Sequence, residues 1–217
     1  MTLTARSWAL IVVVSRELLE DGQNVDVQLR DQFARAGALA LDQAVLGGNG
    51  VPPTPLGIAN SPGIATLLMG PNGANFGTYS GTGGSYVALL DATLALDNNN
   101  AGTITGMILA PRTARYMAGL VDGMGQPMRM PDRLAAIPQL VSTSMSVAEV
   151  QGTSSNASSI LLGDFSQVFV GMRTALQVSV LSERYADKGQ VGFVIWMRAD
   201  VVCARPAAIC RIQGIIP

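Results

Sequence analysis

Apolar residues recur at helical spacing over one long segment near the start of the chain. Within this segment Asp26 precedes Arg30, and Asp31 precedes Arg35, by four positions, which is the spacing of acid-to-base pairs along a helix. A Gly/Asn run at positions 47–50 and three prolines after it end the pattern. The pattern predicts a helix over Val25–Leu46, about 30 Å long and the longest of the chain. Its apolar positions are Val25, Leu29, Phe33, Ala36, Ala40 and Ala44.

Runs rich in β-branched residues predict strands at both ends of the chain. Leu3–Val14 alternates roughly between polar and apolar positions and then becomes continuously apolar. Ser15 is expected to cap a short helix over positions 16–21. Five apolar runs in the last third also predict strands. They are Ile160–Leu162, Val168–Met172, Leu176–Leu181, Val191–Met197 and Val201–Cys203.

The middle of the chain mixes helices with polar segments. Ser85 is expected to cap a helix over Tyr86–Leu96, and Pro111 to begin a helix that ends at Val121. Positions 70–84 predict a surface loop, and positions 152–159 a mobile loop or a domain boundary, because both are polar and low in complexity. The predicted fold class is α+β, with helices in the first 121 residues and strands in the last 60. Short strands are predicted at Thr103–Leu109 and Gln139–Ser142.

The composition indicates a protein that associates through apolar surface. Only 13% of the residues are charged and 48% are hydrophobic, so the charged side chains cover the surface thinly. The alternative is a compact monomer with a neutral surface rich in Ser, Thr and Gly. The net charge of −1 predicts no phosphate-binding stripe. The longest apolar run, Trp8–Val14, is too short to span a bilayer and lacks the layout of a signal peptide.

The sequence offers little catalytic chemistry. It has no histidine, no nucleophile elbow and no nucleotide-binding glycine motif. Asp164 is interpreted as a turn cap rather than a catalytic acid. Cys203 and Cys210 are interpreted as small buried hydrophobes in a reducing compartment. The acidic residues at positions 17, 20 and 21 are interpreted as a solvated helix end. No catalytic, cofactor-binding or metal-binding residue is therefore predicted, and a small-molecule enzyme is the least favoured class.

Ordered segments along the whole chain resemble the major capsid proteins of tailed bacteriophages, whose Hong Kong-phage-type capsid fold is shared with encapsulins. Each motif is weak alone, and their order and spacing make the resemblance specific. They are a strand leading to VSRELLED at 14–21, the long helix with its exit GGNG at 47–50 and PLGI at 55–58, ILAPRT at 108–113, LLGDFS at 161–166, and the closing segment 191–208.

The resemblance implies a division of the chain into two domains. A discontinuous peripheral domain would comprise residues 1–54 and 150–217, with the long helix as its spine. An axial domain would be inserted at residues 55–149. Family members carry an N-terminal arm and an extended β-loop before the first strand seen here. Both are expected to be absent, because the chain begins almost on that strand.

The resemblance also implies a function: a structural subunit of a phage or prophage head, and not an enzyme. Its partners would be copies of itself in pentamers and hexamers, together with scaffold, protease and portal proteins, with no membrane and no specific nucleic-acid sequence. Its location would be the virion, after assembly in the host cytoplasm. The alternative is an encapsulin-type shell that packages an enzyme, which neighbouring genes would distinguish from a phage head.

Some members of this family join their subunits by an isopeptide bond between a lysine and an asparagine, assisted by a glutamate. Here the sole lysine, Lys188, falls in a predicted turn. Gly189 and Gln190 begin the late strand where the asparagine is needed, and Trp196 and Met197 stand where the glutamate is needed. The resemblance therefore implies a shell without covalent cross-links and a solvated Lys188.

Overall fold

A computed structural model of the protein describes residues 2–21, 25–79 and 85–216, with side chains at all of these positions except 25 and 26. The fold is α+β, as predicted. The helices are α1 (Arg16–Asp21), α2 (Val25–Gly47), α3 (Val87–Asn98), α4 (Pro111–Ala118) and α5 (Asp132–Ala135). The strands are β1 (Arg6–Ser15), β2 (Ala65–Leu68), β3 (Gly106–Leu109), β4 (Gln139–Val141), β5 (Glu149–Gln151), β6 (Ser154–Gly163), β7 (Val168–Leu181), β8 (Gln190–Cys203) and β9 (Ile209–Ile215).

The chain divides into two compact units, each discontinuous in sequence. Unit 1 comprises Met1–Gly57 and Val170–Val202. Unit 2 comprises Ile58–Phe169 and Cys203–Pro217. These bounds differ from the predicted 1–54 and 150–217 against 55–149. The difference arises because β6 and β9 pair with each other, and β6 also pairs with β3, so all three strands belong to the sheet of unit 2.

Unit 1 packs α2 on the three-stranded sheet β1-β8-β7. Its core joins Phe33 of α2 to Val14 of β1 and to Phe193 and Ile195 of β8, and the rings of Phe33 and Phe193 lie 5.9 Å apart. At 23 residues α2 is the longest helix in the described ranges, as predicted. The second predicted acid-to-base pair forms, with Arg35 Nε 2.9 Å from Asp31 Oδ2. The first involves Asp26, whose side chain lies outside the described residues.

The start of α1 confirms the predicted cap. The backbone N–H of Leu18 donates to Ser15 Oγ over 3.3 Å, which satisfies one of the donors left free at a helix start. Gly22, directly after the predicted helix, lies outside the described residues, as do the last positions, 80–84, of the predicted loop at 70–84.

Unit 2 is built on a six-stranded mixed sheet in the order β2-β9-β6-β3-β4, with β5 paired to the edge of β6. The pairs β2–β9 and β3–β4 are parallel, whereas β9–β6 and β6–β3 are antiparallel. Helix α3 packs on β9, β2 and β6. The core of the unit is formed by fully buried residues from these elements. The largest of them include Phe76, Met69, Leu89, Leu96, Met107, Leu109, Met117, Leu134, Ile160 and Leu162.

Two predictions for unit 2 are wrong. Positions 152–159 form no mobile loop, because β6 begins at Ser154 and its serines Ser158 and Ser159 are buried. Their hydroxyls are satisfied inside the fold, as Ser158 Oγ lies 2.9 Å from Thr113 Oγ1. Ser85 does not cap α3, which begins at Val87 with no side-chain cap. Tyr86 is instead held by burial and by a 3.0 Å hydrogen bond from its hydroxyl to the carbonyl of Met117.

Candidate assembly surfaces

An apolar groove lies between α2 and the sheet of unit 1. The middle of α2 presents Ala36, Gly37 and Ala40, which are too small to fill the space above the strands. A cavity of about 260 Å³ results. Gly37 lies at its margin, and a Cβ there would lie 2.7 Å from Leu176 Cδ1, so the end of the leucine side chain would have to move. The sheet side of the groove is lined by Trp8, Leu10, Leu176, Ile195 and Met197.

The opposite face of the same sheet is apolar on β1 and β8. Cross-strand neighbours on this face are Ala9 with Trp196 and Ile11 with Val194. We call it the open sheet face and define it by Ser7, Ala9, Ile11 and Val13 of β1 with Val194 and Trp196 of β8. Its members point away from the core residues of unit 1, because successive side chains of a strand alternate between faces.

Unit 2 exposes apolar side chains at one edge of its sheet. Strand β4 is the last strand of the order and is exposed along its length, with Leu140 and Val141 among its exposed side chains. Met124, in the turn after α4, is also exposed. Exposed apolar residues therefore occur in both units, as the low charge content predicts.

A largely buried ion pair in unit 2 was not predicted. Arg211 Nη2 of β9 lies 3.0 Å from Glu149 Oε2 of β5, and both side chains are less than a fifth exposed. The second Glu149 oxygen accepts from Ser159 Oγ over 2.8 Å. Arg211 Nη1 donates to the carbonyl of Ala59 over 3.1 Å and to Asn60 Oδ1 over 3.4 Å. The side chain of Arg211 thus connects β9 with β5 and with the 3-10 turn at 58–60.

The predicted turn residue Asp164 acts as a cap. Its Oδ1 accepts from the backbone N–H of Ser166 over 3.0 Å, and its Oδ2 from Gln167 Nε2 over 3.2 Å. Hydrogen bonding by the Ser166 side chain is the main reason that the pKa of this carboxyl lies below its usual range. Gln167, the backbone N–H of Ser166 and Arg205 lower it further, and burial opposes them. These contacts explain its place in the turn without any catalytic role.

The other residues singled out by the sequence lie apart from one another. Cys210 is fully buried and Cys203 is half-buried, and both are free thiols. Burial raises the pKa of the Cys210 thiol to about 11. Lys188 is exposed in a single 3-10 turn, Ala186–Lys188, which ends at Gly189 in the left-handed conformation.

The acidic side chains of α1 are solvated, as predicted. Glu17, Glu20 and Asp21 are not buried, and Glu20 Oε1 lies 3.9 Å from the exposed Arg16. Within the described ranges, no three His, Cys, Asp or Glu side chains lie close enough to hold a metal ion. None of the helices described is long and apolar enough to cross a membrane.

Comparisons with solved structures identify the fold. A capsid chain of an empty GTA particle is 21% identical with a TM-score of 0.76, covering 100% of this chain and 75% of that chain. A chain from Mycobacterium phage Adephagia is 17% identical with a TM-score of 0.70, covering 99% and 73%. The encapsulin of Synechococcus elongatus is 13% identical with a TM-score of 0.60, covering 97% and 74%. These likenesses show the predicted Hong Kong-phage-type capsid fold.

The sequence comparisons identify the family. A search of curated proteins gave no match. The model of the phage capsid family matches residues 1–214, which is nearly the whole chain of 217 residues. The matched region includes the whole of unit 1 and all of unit 2 except its last three residues. The chain therefore belongs to the phage capsid family, and it is a structural subunit of a capsid shell.

Proposed function

We propose that copies of this chain form pentamers and hexamers that close the icosahedral, DNA-containing head of a tailed phage or prophage. The observation that carries the proposal is the family match over residues 1–214. The exposed apolar surface of unit 1 supports it, because apolar patches of this kind mark association sites. Five- and six-membered rings need a head-to-tail contact between two different surfaces of the subunit.

We also infer that unit 1 is the peripheral domain and unit 2 the axial domain of such a subunit. The spine expected of a peripheral domain is α2, which lies in unit 1. The inserted position expected of an axial domain is that of Ile58–Phe169. On this assignment the C-terminal segment Cys203–Pro217 completes the axial domain, because β9 pairs with β2 and β6.

The finer partners belong to the same proposal. Scaffold, protease and portal proteins would act with this chain during head assembly in the host cytoplasm, and the finished shell would be part of the virion. The chain would contribute no enzymatic activity. Its interior surface would meet DNA without reading a particular sequence.

Particles isolated from the native source test this proposal. Electron microscopy should show closed icosahedral shells containing this chain, and nuclease treatment followed by phenol extraction should recover protected DNA. The similarity to an encapsulin gives the second candidate, a protein compartment. Shells that contain a folded enzyme and no protected DNA would establish the compartment and overturn the phage-head proposal.

A further inference from the structure

A second cavity of unit 1 adjoins the apolar groove and differs from it in polarity. It measures about 350 Å³ and lies at the C-terminal end of α2, where Gln43, Asn49 and Thr54 contribute polar groups to its lining. We call it the polar cleft. Trp8 and Ala40 line both the groove and the cleft, so the two cavities meet at these side chains. Together they form one site with an apolar half and a polar half.

The apolar half has the size and character of a binding site for part of a small molecule. The small side chains of α2 leave a cavity of about 260 Å³ above the strands, and Phe33, Leu176 and Ile195 are among the residues that line it. An apolar cavity of about 150 Å³ is sufficient to bind benzene. The groove can therefore accept an aliphatic or aromatic group and remove its surface from water.

The polar half offers hydrogen-bonding groups that the chain itself does not use. Asn49 Oδ1 accepts from the backbone N–H of Val51 over 3.1 Å, which leaves the amide N–H groups of Asn49 available. Within the described ranges, no hydrogen bond engages the side chains of Trp8, Gln43 or Thr54. An indole N–H, an amide and a hydroxyl can thus donate to, or accept from, a group that enters the cleft beside the groove.

The electrostatics of the site favour a ligand without a negative charge. Among the described residues, no charged side chain lines either cavity. Helix α2 has no basic residue in its last turn, so its C-terminal end carries an uncompensated negative partial charge. A carboxylate or phosphate in the cleft would meet this end of the helix without a cation to balance it. An uncharged hydroxyl can both donate and accept hydrogen bonds there.

We infer that this site of unit 1 binds a small amphiphile with an uncharged, hydroxyl-bearing head group. The apolar part of the ligand lies in the groove, and its head group lies in the polar cleft beyond Trp8. The inference does not rest on the proposed function, because both cavities lie within a single unit of a single chain.

Titration with 1-octanol tests the inference. The variant Trp196→Phe leaves Trp8 as the sole tryptophan, so its fluorescence reports on the junction of the groove and the cleft. 1-Octanol should shift the emission of Trp8 to shorter wavelength and saturate with a single Kd, because an alkyl chain replaces water beside the indole ring. Octanoate has the same chain length and should bind at least about threefold more weakly, since its carboxylate faces the C-terminal end of α2.

A matched pair of variants locates the site. In the same background, Ala40→Leu fills the junction of the two cavities and should weaken 1-octanol binding at least about tenfold, because the space for the ligand is lost. Ala38→Leu is the control, since Ala38 is exposed on the same helix and lines neither cavity. Circular dichroism spectra and melting curves check that the variants are folded.

Three results would overturn the inference. One is equal affinity of Ala40→Leu and Ala38→Leu for 1-octanol, and another is octanoate binding as tight as that of 1-octanol. The third is a shift of Trp8 emission with protein concentration alone, which would show that a second copy of the chain occupies the groove. Saturable binding that is lost only in Ala40→Leu would support the site.

Discussion

The guanidinium group of Arg211 lies beside the sheet of unit 2 and is only 14% exposed, so it is poorly solvated. Its charge is balanced by Glu149, and Ala59 and Asn60 accept two further hydrogen bonds. The side chains of the pair are 14% and 17% exposed, so the attraction between them is only weakly screened. Removing one member would leave the other charge buried without a partner.

We expect Glu149→Gln to lower the free energy of unfolding by about 3 kcal/mol for this reason. The double variant Glu149→Leu/Arg211→Met should lose less, because neither charge then remains buried. Urea unfolding measures both effects. Arg129→Ala is the control, since its contact with Asp132 is exposed and should not shift the midpoint. A single variant as stable as the wild type would mean that water solvates the remaining charge.

The two cysteines should differ in reactivity, because the thiolate is the nucleophile and burial disfavours it. Burial raises the pKa of Cys203 and, more strongly, that of Cys210, to about 11. Iodoacetamide at pH 8 should therefore label Cys203 slowly and Cys210 only after unfolding, as read by peptide mass spectrometry. Equal labelling of both thiols in the folded chain would contradict this.

The raised pKa of Cys210 also predicts in which direction folding stability changes with pH. An unfolded thiol loses its proton near pH 9, whereas the folded one keeps it until about pH 11. The contribution of Cys210 to stability is therefore full below pH 9 and is lost as the pH rises through that interval. Cys210→Ala should flatten this part of a stability profile measured by urea unfolding. An unchanged slope would show that other groups dominate it.

The residues whose roles were predicted correctly from the sequence act through contacts with near neighbours in the chain. Ser15 and Asp164 bond to backbone groups two or three positions away, and such short-range caps leave a pattern in the chain. Glu149 and Arg211 are separated by more than sixty residues. Nothing in the sequence around either residue indicates that the other one lies beside it.

Among the elements, the exit of α2 is a tightly constrained turn of unit 1. The N–H of Gly57 donates to the carbonyl of Gly48 over 2.9 Å, and Asn49 forms a bridge with Leu56. A Cβ on Gly48 would lie 2.5 Å from the carbonyl oxygen of Ala44 and closer still to that of Pro55. The two glycines are needed because the backbone passes too close for any side chain.

We expect Gly48→Ala and Gly57→Ala to destabilise the chain by at least about 2 kcal/mol, since the clash is with backbone atoms that cannot rotate away. The adjacent Gly47→Ala is a matched control. A Cβ there meets nothing within 4 Å, and alanine favours helix, so we expect a gain of up to about 1 kcal/mol. Thermal unfolding of the three variants checks the order. A neutral Gly48→Ala would show that the exit can open.

The periodicity of apolar residues predicted the long helix α2 but not the strand β9 or the start of β6. Helix α2 extends over more than six turns, so its pattern repeats often enough to be read. Strand β9 was not predicted, because Arg211, Gln213 and Gly214 interrupt its apolar residues, although it pairs with strands on both sides. The serines at the start of β6 indicated a loop, and only the tertiary partners of Ser158 and Ser159 explain their burial.

At the scale of the whole molecule, the shell proposed here should hold together without covalent bonds between subunits. Lys188 lies in an exposed turn, and Gly189 with Gln190, the first residue of β8, follows it where an asparagine is needed. Assembled particles boiled in detergent with reductant should give one monomer band on a gel. A ladder of multimers that survives this treatment would contradict the prediction.

The order of motifs gave the fold class and the family, and the pairing of distant strands set the bounds of the units. The resemblance implied a boundary near residue 150, whereas strand β6, which begins at Ser154, belongs to the sheet of unit 2. The apolar character of the candidate surfaces could be predicted, but their location could not. Low charge content indicates apolar association, but the open sheet face depends on which side of β8 is covered by α2.

The discontinuity of unit 1 has a consequence during protein synthesis. Strand β1 pairs with β8, so Arg6 cannot pair with Ala199 until Ala199 has been synthesised. At ordinary translation speeds of roughly 5–20 residues per second, the apolar strand leaves the ribosome about 10 to 40 s before its partner. Unit 2 is likewise completed only by β9, near the end of the chain. A nascent subunit therefore cannot complete the sheet of unit 1 before β8 is synthesised, or the sheet of unit 2 before β9 is synthesised.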